Sequence, residues 1–537
     1  MKVAVIGGGA GGLVTLKYLT QAPQFLPTKR IDIRLFEAQD AIGGTFRYRS
    51  YEDSEHVSSK YLTTFSDLRP SPNDPDFLPI PDYVAYLEKY CTRFDLWKYI
   101  ELSTKVVKLQ RRDGGHIVSL MKPDGSTEDW ECDAVAICTG LHVVPHTVSI
   151  KGIENVPKVL HSSEFKLRKQ FGKDTNVVIL GVGETGMDLA HLAVTSPTKS
   201  VTLVPNPVLF GCIQPQLKPI PTDVSTASLF ESMYVHPIMR KSWIPWAYYD
   251  AFVKNTLWLV GGSRCGIDQW IGGLLDKDYH TAQLFFAKSD RAISYISAPY
   301  RSNSLIHRIR RTIAQVPIPP TNGRVIDLAP WPDHIDKDGI VHFTENSRPE
   351  AERMRTVKRK VDVLVMATGY TQEFPFLDET YPRPDDADIR QIWKTGDETV
   401  GFIGFVRPSF GAIPPLAEFQ AQLWVLALLK QLPRQLKPED HYRLHMSKDN
   451  RIQYGVDHEN YAYQLALDME SAPSAAYMFS RGPKMFITWA LGANFNTKFR
   501  LIGPWAFNGA EKIMKTELWS TITRRGGFFG TTLSHCL

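Results

Sequence analysis

The chain has 537 residues, 43% of them hydrophobic, and a formal charge of +5 from 62 Lys and Arg against 57 Asp and Glu. That length can hold several cores, so two or three domains are expected of an ordinary globular protein. The charge imbalance is too small and too diffuse to argue for nucleic acid, and that class is set aside.

The first elements in chain order are a strand from Lys2 to Ile6, a glycine loop from Gly7 to Gly12, a helix from Leu13 to Leu19 and a strand from Ile31 to Phe36 that ends at Glu37. This is the βαβ order of a dinucleotide fold. In the G-x-G-x-x-G of Gly7, Gly9 and Gly12, the first glycine permits the tight turn. The second lets backbone N–H groups approach a pyrophosphate, and the third lets helix and strand pack closely. Glu37 is the acid expected to accept ribose hydroxyls. Next comes "GGTF", Gly43 to Phe46, a loop that could lie against an isoalloxazine ring or could be an ordinary turn.

The segment "DAVAICTGLHVVP", Asp133 to Pro145, ends a buried strand in Thr-Gly. A second fingerprint follows in "NVVILGVGETGMDLAHLA", with Gly181, Gly183 and Gly186, and its next strand is Ser200 to Val204. Beyond that strand an NADPH site ordinarily places Arg or Lys for the 2′-phosphate. Here Pro205, Asn206 and Pro207 stand instead, and the prolines offer neither a cation nor an N–H. From about 205 to 320 the pattern reads as a mainly helical insertion. Its Trp243, Trp246, Tyr248 and Tyr249 could line a pocket for a planar substrate or could be core. "SLIHRIRRTIAQV" sets Leu305, Ile306, Ile309, Ile313 and Val316 near helical spacing, as a solvated amphipathic helix or a membrane-surface or cofactor-gripping one. "DVLVMATGY", Asp362 to Tyr370, repeats the Thr-Gly strand end.

Six cysteines, Cys91, Cys132, Cys138, Cys212, Cys265 and Cys536, form no C-x-x-C or C-x4-C pair. No metal site or dithiol centre is expected, and a reducing, intracellular setting is. The opening "MKVAVIGGG" leaves no room for a signal peptide, and no apolar run approaches the roughly 18 residues a membrane span needs. A cytoplasmic protein is expected, with association to the cytosolic face of a membrane left open.

With these residues in view, the chain resembles the flavin-containing monooxygenases, the dimethylaniline monooxygenase-like group of class B flavoprotein monooxygenases that borders the Baeyer–Villiger enzymes. The likeness covers most of the chain. It is carried by "GGGAGG", "GGTF" where the family commonly has Gly-Gly-x-Trp, "KYLTTFSDLRPSP", "YLEKYCTRFDLWKYIELSTKV", "CTGLHVVP", "GVGETG", "ATGYTQEFPFL", "GFVRPSFGAIPPLAEFQAQLW" and "FRLIGPW". The resemblance implies an α/β fold of two Rossmann-like domains, for FAD and NAD(P)H, the second inserted in the first. The expected boundaries are 1–165 and 326–537 for the flavin domain and 166–325 for the nicotinamide domain.

It also implies FAD held by Gly7, Gly9, Ala10, Gly11, Gly12, Glu37, Gly44, Thr45, Phe46, Val57 and Ser58, with the backbone near Val106 at the adenine and Gln420 near the ring. NADPH or NADH would sit at Gly181, Gly183, Glu184, Thr185 and Gly186. One oxygen atom of O2 would pass through a C4a-hydroperoxyflavin to a small-molecule substrate, an aromatic or heteroatom-bearing natural product. Baeyer–Villiger oxygenation of a ketone, a flavoprotein oxidase and a non-catalytic scaffold remain alternatives. Three departures stand out. Val57 occupies the place of the family asparagine beside the flavin, where His56 and Ser58 could take over or could be plain turn residues. The F-x-G-x-x-x-H-x-x-x-F/Y signature survives only as His161 and Phe165. The third is the missing cation after Val204.

Overall fold

The structure is a computed structural model in which residues 1–204, 258, 290–313, 320–346, 349–408, 411–444, 453–492 and 495–524 are described. The apolar runs "KVAVI" and "NVVIL" form central strands of two parallel sheets, as strands buried on both faces should. The first sheet has the order Val400–Phe402, Ala134–Ile137, Lys2–Ile6, Asp32–Phe36, Ile100–Glu101. The second runs Ile326–Leu328, Ser200–Val204, Asn176–Leu180, Val363–Met366, Lys158–His161. The first sheet takes Val400–Phe402 from beyond the whole second sheet, so the second domain is inserted in the first. The second sheet reaches past both expected boundaries, to Lys158–His161 and Val363–Met366, because the "VLVM" strand pairs directly with Asn176–Leu180.

The two Thr-Gly crossings are zipped together. Val144–Pro145 pairs antiparallel with Tyr370–Thr371, and the His146 N–H donates to Gly369 O at 2.9 Å. His161, from the residual signature, bonds Gly369 O through Nε2 at 3.1 Å and Ser163 Oγ through Nδ1 at 2.9 Å. Phe165 is buried against Phe171, with ring centroids 4.7 Å apart.

The helix Ile413–Leu428 is apolar around nearly its whole circumference and is buried accordingly. It packs on the first helix, Ala10–Phe25, which extends beyond the expected Leu13 to Leu19 at both ends. Its one carboxylate, Glu418, accepts from Tyr18 Oη at 2.7 Å, the Ser66 N–H at 2.9 Å and Asn496 Nδ2 at 2.8 Å. Arg500 joins the cluster through Ser66 Oγ at 2.7 Å, and Lys17 pairs with Asp67 at 2.6 Å. Burial pushes the Lys17 ammonium down to about 8. "FRLIGPW" is therefore a docking motif: Arg500 closes the charge cluster, and Trp505 sits edge-on to Tyr18 at 4.9 Å.

Of the insertion, the described part holds the helices Asp290–Ser297 and Leu305–Ile313. In the latter Leu305, Ile306 and Ile309 are 63%, 65% and 52% exposed while Arg310 is buried, so its apolar residues face outward. Pro205 to Pro207, the Trp243 to Tyr249 cluster, Val316, Cys212, Cys265 and Cys536 lie outside the described residues. Cys91, Cys132 and Cys138 are free and buried. Among the described residues no helix is long and apolar enough to cross a membrane.

Candidate cofactor and oxygenation site

The first glycine loop sits at the carboxyl end of Lys2–Ile6, where Gly7 N–H donates to Phe36 O at 2.8 Å. Gly9 caps the Ala10–Phe25 helix without a side chain, leaving that helix N-terminus open to an anion. A Cβ on Gly12 would stand 1.8 Å from Gly7 O, so only glycine lets helix and strand approach this closely. Glu37 lies beside the loop, its Oε2 accepting from Gly8 N–H at 2.6 Å and its Oε1 from Gln39 N–H at 2.8 Å. Burial raises its pKa above the ordinary value, with the N–H donors of Gln39 and Gly8 pulling the other way. Thr104 N–H donates to Glu37 O at 2.8 Å, which brings the start of the Val106 strand alongside the acid.

The "GGTF" loop folds onto this fingerprint. Gly43 N–H donates to Gly8 O at 2.9 Å, and a Cβ on Gly44, whose φ is +53°, would lie 3.1 Å from Gly9 Cα. Thr45–Tyr48 then makes one helical turn. Phe46 packs against the buried His56 at 5.0 Å and against Tyr83 at 4.8 Å, while His56 and Tyr83 meet edge-on at 4.2 Å. The segment around His56, Val57 and Ser58 is strapped to a second strand of chain: His56 N–H donates to Leu78 O at 2.9 Å, Ile80 N–H to Ser54 O at 3.1 Å and Lys60 N–H to Asp76 O at 2.7 Å. Lys60 Nζ adds bonds to Ser71 O and Pro72 O, both at 3.1 Å, and Thr63 Oγ1 holds Ser58 O at 3.1 Å. His56 and Ser58 are thus buried members of a fixed segment, and Val57 is half-buried between them.

Gln420 lies on the buried helix Ile413–Leu428. Its Oε1 accepts from Gly404 N–H and its Nε2 donates to Tyr461 Oη, both at 2.8 Å, so its amide is committed within the protein.

The second loop repeats the first. Gly181 N–H donates to Val204 O at 2.8 Å, and a Cβ on Gly186 would lie 2.0 Å from Gly181 O. Gly183 caps the Glu184–Thr195 helix, and among the described residues a Cβ there would meet nothing within 4 Å, which leaves room for a pyrophosphate at the helix N-terminus. Glu184 and Thr185 form its first turn. The donor chemistry fits two dinucleotides: glycine-backed helix ends for two pyrophosphates and a buried acid for one ribose.

Sequence reasoning missed Tyr83, which walls the His56 ring, and the segment Tyr51–Glu55, which carries side-chain bonds to the second domain. Tyr51 Oη donates to Asp188 Oδ2 at 2.9 Å. No spacing in the sequence signals either, since both depend on chain segments brought together by the fold.

Two parallel sheets, each with a glycine-capped helix, and an acid beside the first define an oxidoreductase of the two-dinucleotide flavoprotein class. The chain belongs to the Flavin-binding monooxygenase-like family, whose pattern matches residues 1–207 and 335–524. It is 50% identical to Monooxygenase cfoE of Aspergillus candidus, over 98% of this chain and 94% of that one. It is 50% identical to Monooxygenase ptmN of Penicillium ochrochloron, over 98% and 90%. Dimethylaniline monooxygenase [N-oxide-forming] 2 of Pan troglodytes is 23% identical over 96% and 91%. Among solved structures, S-allyl-L-cysteine S-oxygenase from Allium sativum superposes with a TM-score of 0.55 at 17% identity, covering 87% of this chain and 88% of that one, and shares the fold. The protein is accordingly a flavin-dependent monooxygenase, with FAD and NADPH the cofactors of its family.

Proposed function

We propose that FAD binds at Gly7–Gly12, Glu37 and Gly44–Phe46, that the nicotinamide cofactor binds at Gly181–Gly186, and that one oxygen atom of O2 is inserted into an aromatic or heteroatom-bearing natural product. In this reading the flavin domain is built from the first and last parts of the chain around a central nicotinamide domain. The observation that carries it is the contact of the "GGTF" loop with the first fingerprint, because it brings a loop that could lie against an isoalloxazine ring beside a helix N-terminus open to a pyrophosphate. The chemistry that bound, reduced FAD would supply here is the activation of O2.

The chain's own residues bind and orient. Loop N–H groups take the pyrophosphates, Glu37 takes ribose hydroxyls, and the backbone near Val106 takes the adenine. His56, held between Phe46 and Tyr83, is the group next to Val57 that can hold or move a proton. Gln420 serves from the second layer, by fixing Gly404 and Tyr461 rather than by touching the ring. A biosynthetic role is supported by the half-identical fungal monooxygenases. Oxygen uptake with a panel of such products under 18O2 tests this: one labelled atom in product, with little peroxide, is the expected result. Label inserted between a carbonyl and its neighbour would place the enzyme with the Baeyer–Villiger oxygenases. A second reading, an oxidase, is favoured by Val57, whose hydrocarbon side chain cannot hydrogen-bond; stoichiometric peroxide with every substrate would establish it.

A further inference from the structure

The segment Tyr51–Glu55 belongs to the flavin half yet is gripped by the nicotinamide half. Tyr51 Oη donates to Asp188, one turn into the helix that begins at the second glycine loop. Arg168 donates to Asp53 Oδ2 at 2.7 Å and, with its other nitrogen, to Thr195 Oγ1 at 2.8 Å at the far end of that helix. Arg291, on the neighbouring helix Asp290–Ser297, donates to Glu55 Oε1. These bonds seize both ends of the Glu184–Thr195 helix and a helix packed on it.

The segment itself is stiff. Ser54 N–H donates to Tyr51 O at 3.0 Å, and Asp53 holds φ at +59°, a left-handed conformation that Asp tolerates in a closed turn. Immediately beyond it, His56, Val57 and Ser58 are strapped to the flavin side through Leu78 and Asp76. Any displacement of the Glu184–Thr195 helix on loading of its N-terminus would bear on this hydrogen-bonded turn, whose next three residues lie beside the proposed flavin site.

We propose that Tyr51 and Glu55 are positioning residues that couple occupancy of the nicotinamide loop to the flavin-side segment His56–Ser58. This rests on the placement of FAD and the nicotinamide cofactor given above. Coupling requires that one ligand's binding alter a state felt at the other site, and here the shared element is the turn.

The test uses the FAD-loaded enzyme and NADP+ as probe, with binding followed by calorimetry and the flavin by its visible difference spectrum. In the Tyr51→Phe/Glu55→Gln double variant, FAD content is expected to stay at the wild-type level and NADP+ affinity within about threefold, while the NADP+-induced flavin change falls below about half. The Tyr51→Phe and Glu55→Gln single variants, which remove the hydroxyl donor to Asp188 and the carboxylate charge facing Arg291 at nearly constant volume, should fall between and give the same reading if the double variant loses flavin. A full-size flavin response in the variants overturns the coupling, and so does a loss of response that merely tracks lost NADP+ binding. A wild type that binds NADP+ without any flavin response also overturns it. A wild type that binds no NADP+ overturns the cofactor placement itself, and the coupling with it.

Discussion

The two glycine loops are near copies in their packing and differ in what surrounds their middle glycine. Gly7 and Gly181 each donate an N–H at 2.8 Å to the last residue of the neighbouring strand, Phe36 and Val204. A Cβ on Gly7 would lie 2.6 Å from Cys138 O, and one on Gly181 2.4 Å from Ala367 O. Gly12 and Gly186 are equally intolerant. Yet a Cβ on Gly9 would touch Gly44 Cα at 3.8 Å, while one on Gly183 would meet nothing within 4 Å. The outer glycines are thus demanded by the fold, and the middle one by what is to be bound. The neighbouring residues differ too. Gly8 faces Glu37, whose Oε2 would lie 3.0 Å from a Cβ there, whereas the second loop carries a fully buried Val182. By register, since Ile6 pairs with Phe36 and Leu180 with Val204, the residue matching Glu37 is Pro205. The acid and the small residue beside it come and go together.

The largest expected effect breaks the shared part. Gly12→Ala and Gly186→Ala each place a methyl about 2 Å from a carbonyl oxygen that cannot move without the turn. Each should cost more than about 4 kcal/mol. Thermal unfolding and soluble yield measure this, and a wild-type melting temperature in either variant would break the equivalence.

Next comes the part that differs. Gly9→Val should leave the fold intact, because that direction is open apart from an ordinary contact, but should reduce retained FAD to less than about a tenth of wild type by blocking pyrophosphate approach. Flavin absorbance per folded protein reads it directly, and full flavin content would remove the first loop from the FAD site.

A smaller effect concerns the end of the second strand. With Pro205-Asn206-Pro207 after Val204, the absent Arg–phosphate pair is a loss of about 1.5–3 kcal/mol, so NADPH should be preferred over NADH by less than about tenfold. Flavin reduction rates at matched concentrations test it. A hundredfold preference would assign the 2′-phosphate to a cation elsewhere in the chain.

The smallest effect isolates Glu37. Unfolded, its carboxyl titrates near the ordinary 4.5; folded and cofactor-free, burial raises it. Between those values the folded state keeps a proton that the unfolded chain has released. Stability is therefore fully present below the ordinary value and falls as pH rises through the raised one, by at most about 1.4 kcal/mol per pH unit. Glu37→Gln in flavin-stripped protein should flatten that slope in urea titrations across mildly acidic pH, and an unchanged slope would relieve Glu37 of it.

Both fingerprints, Glu37 and the Thr-Gly strand ends were legible because each is a local pattern with a fixed backbone consequence, whereas the inserted arrangement came only from the family resemblance. The domain edges were less so: nothing in "KVLH" announces that Lys158–His161 pairs with the strand Val363–Met366. Gln420, placed near the ring by the resemblance, makes bonds to Gly404 and Tyr461 that no local pattern announces, since they depend on three distant segments meeting. The outward face of Leu305, Ile306 and Ile309 was equally hidden, since helical spacing identifies a face without saying which way it turns.

In the proposed division of labour the first loop holds the flavin and the second loads the reductant. Anaerobic stopped-flow reduction of the FAD-loaded Gly183→Val variant by NADPH tests it most directly. A Cβ at Gly183 meets nothing within 4 Å among the described residues, so the variant should keep wild-type flavin content and melting temperature while the NADPH concentration for half-maximal reduction rises at least about tenfold. Reduction at the wild-type concentration dependence would contradict the account.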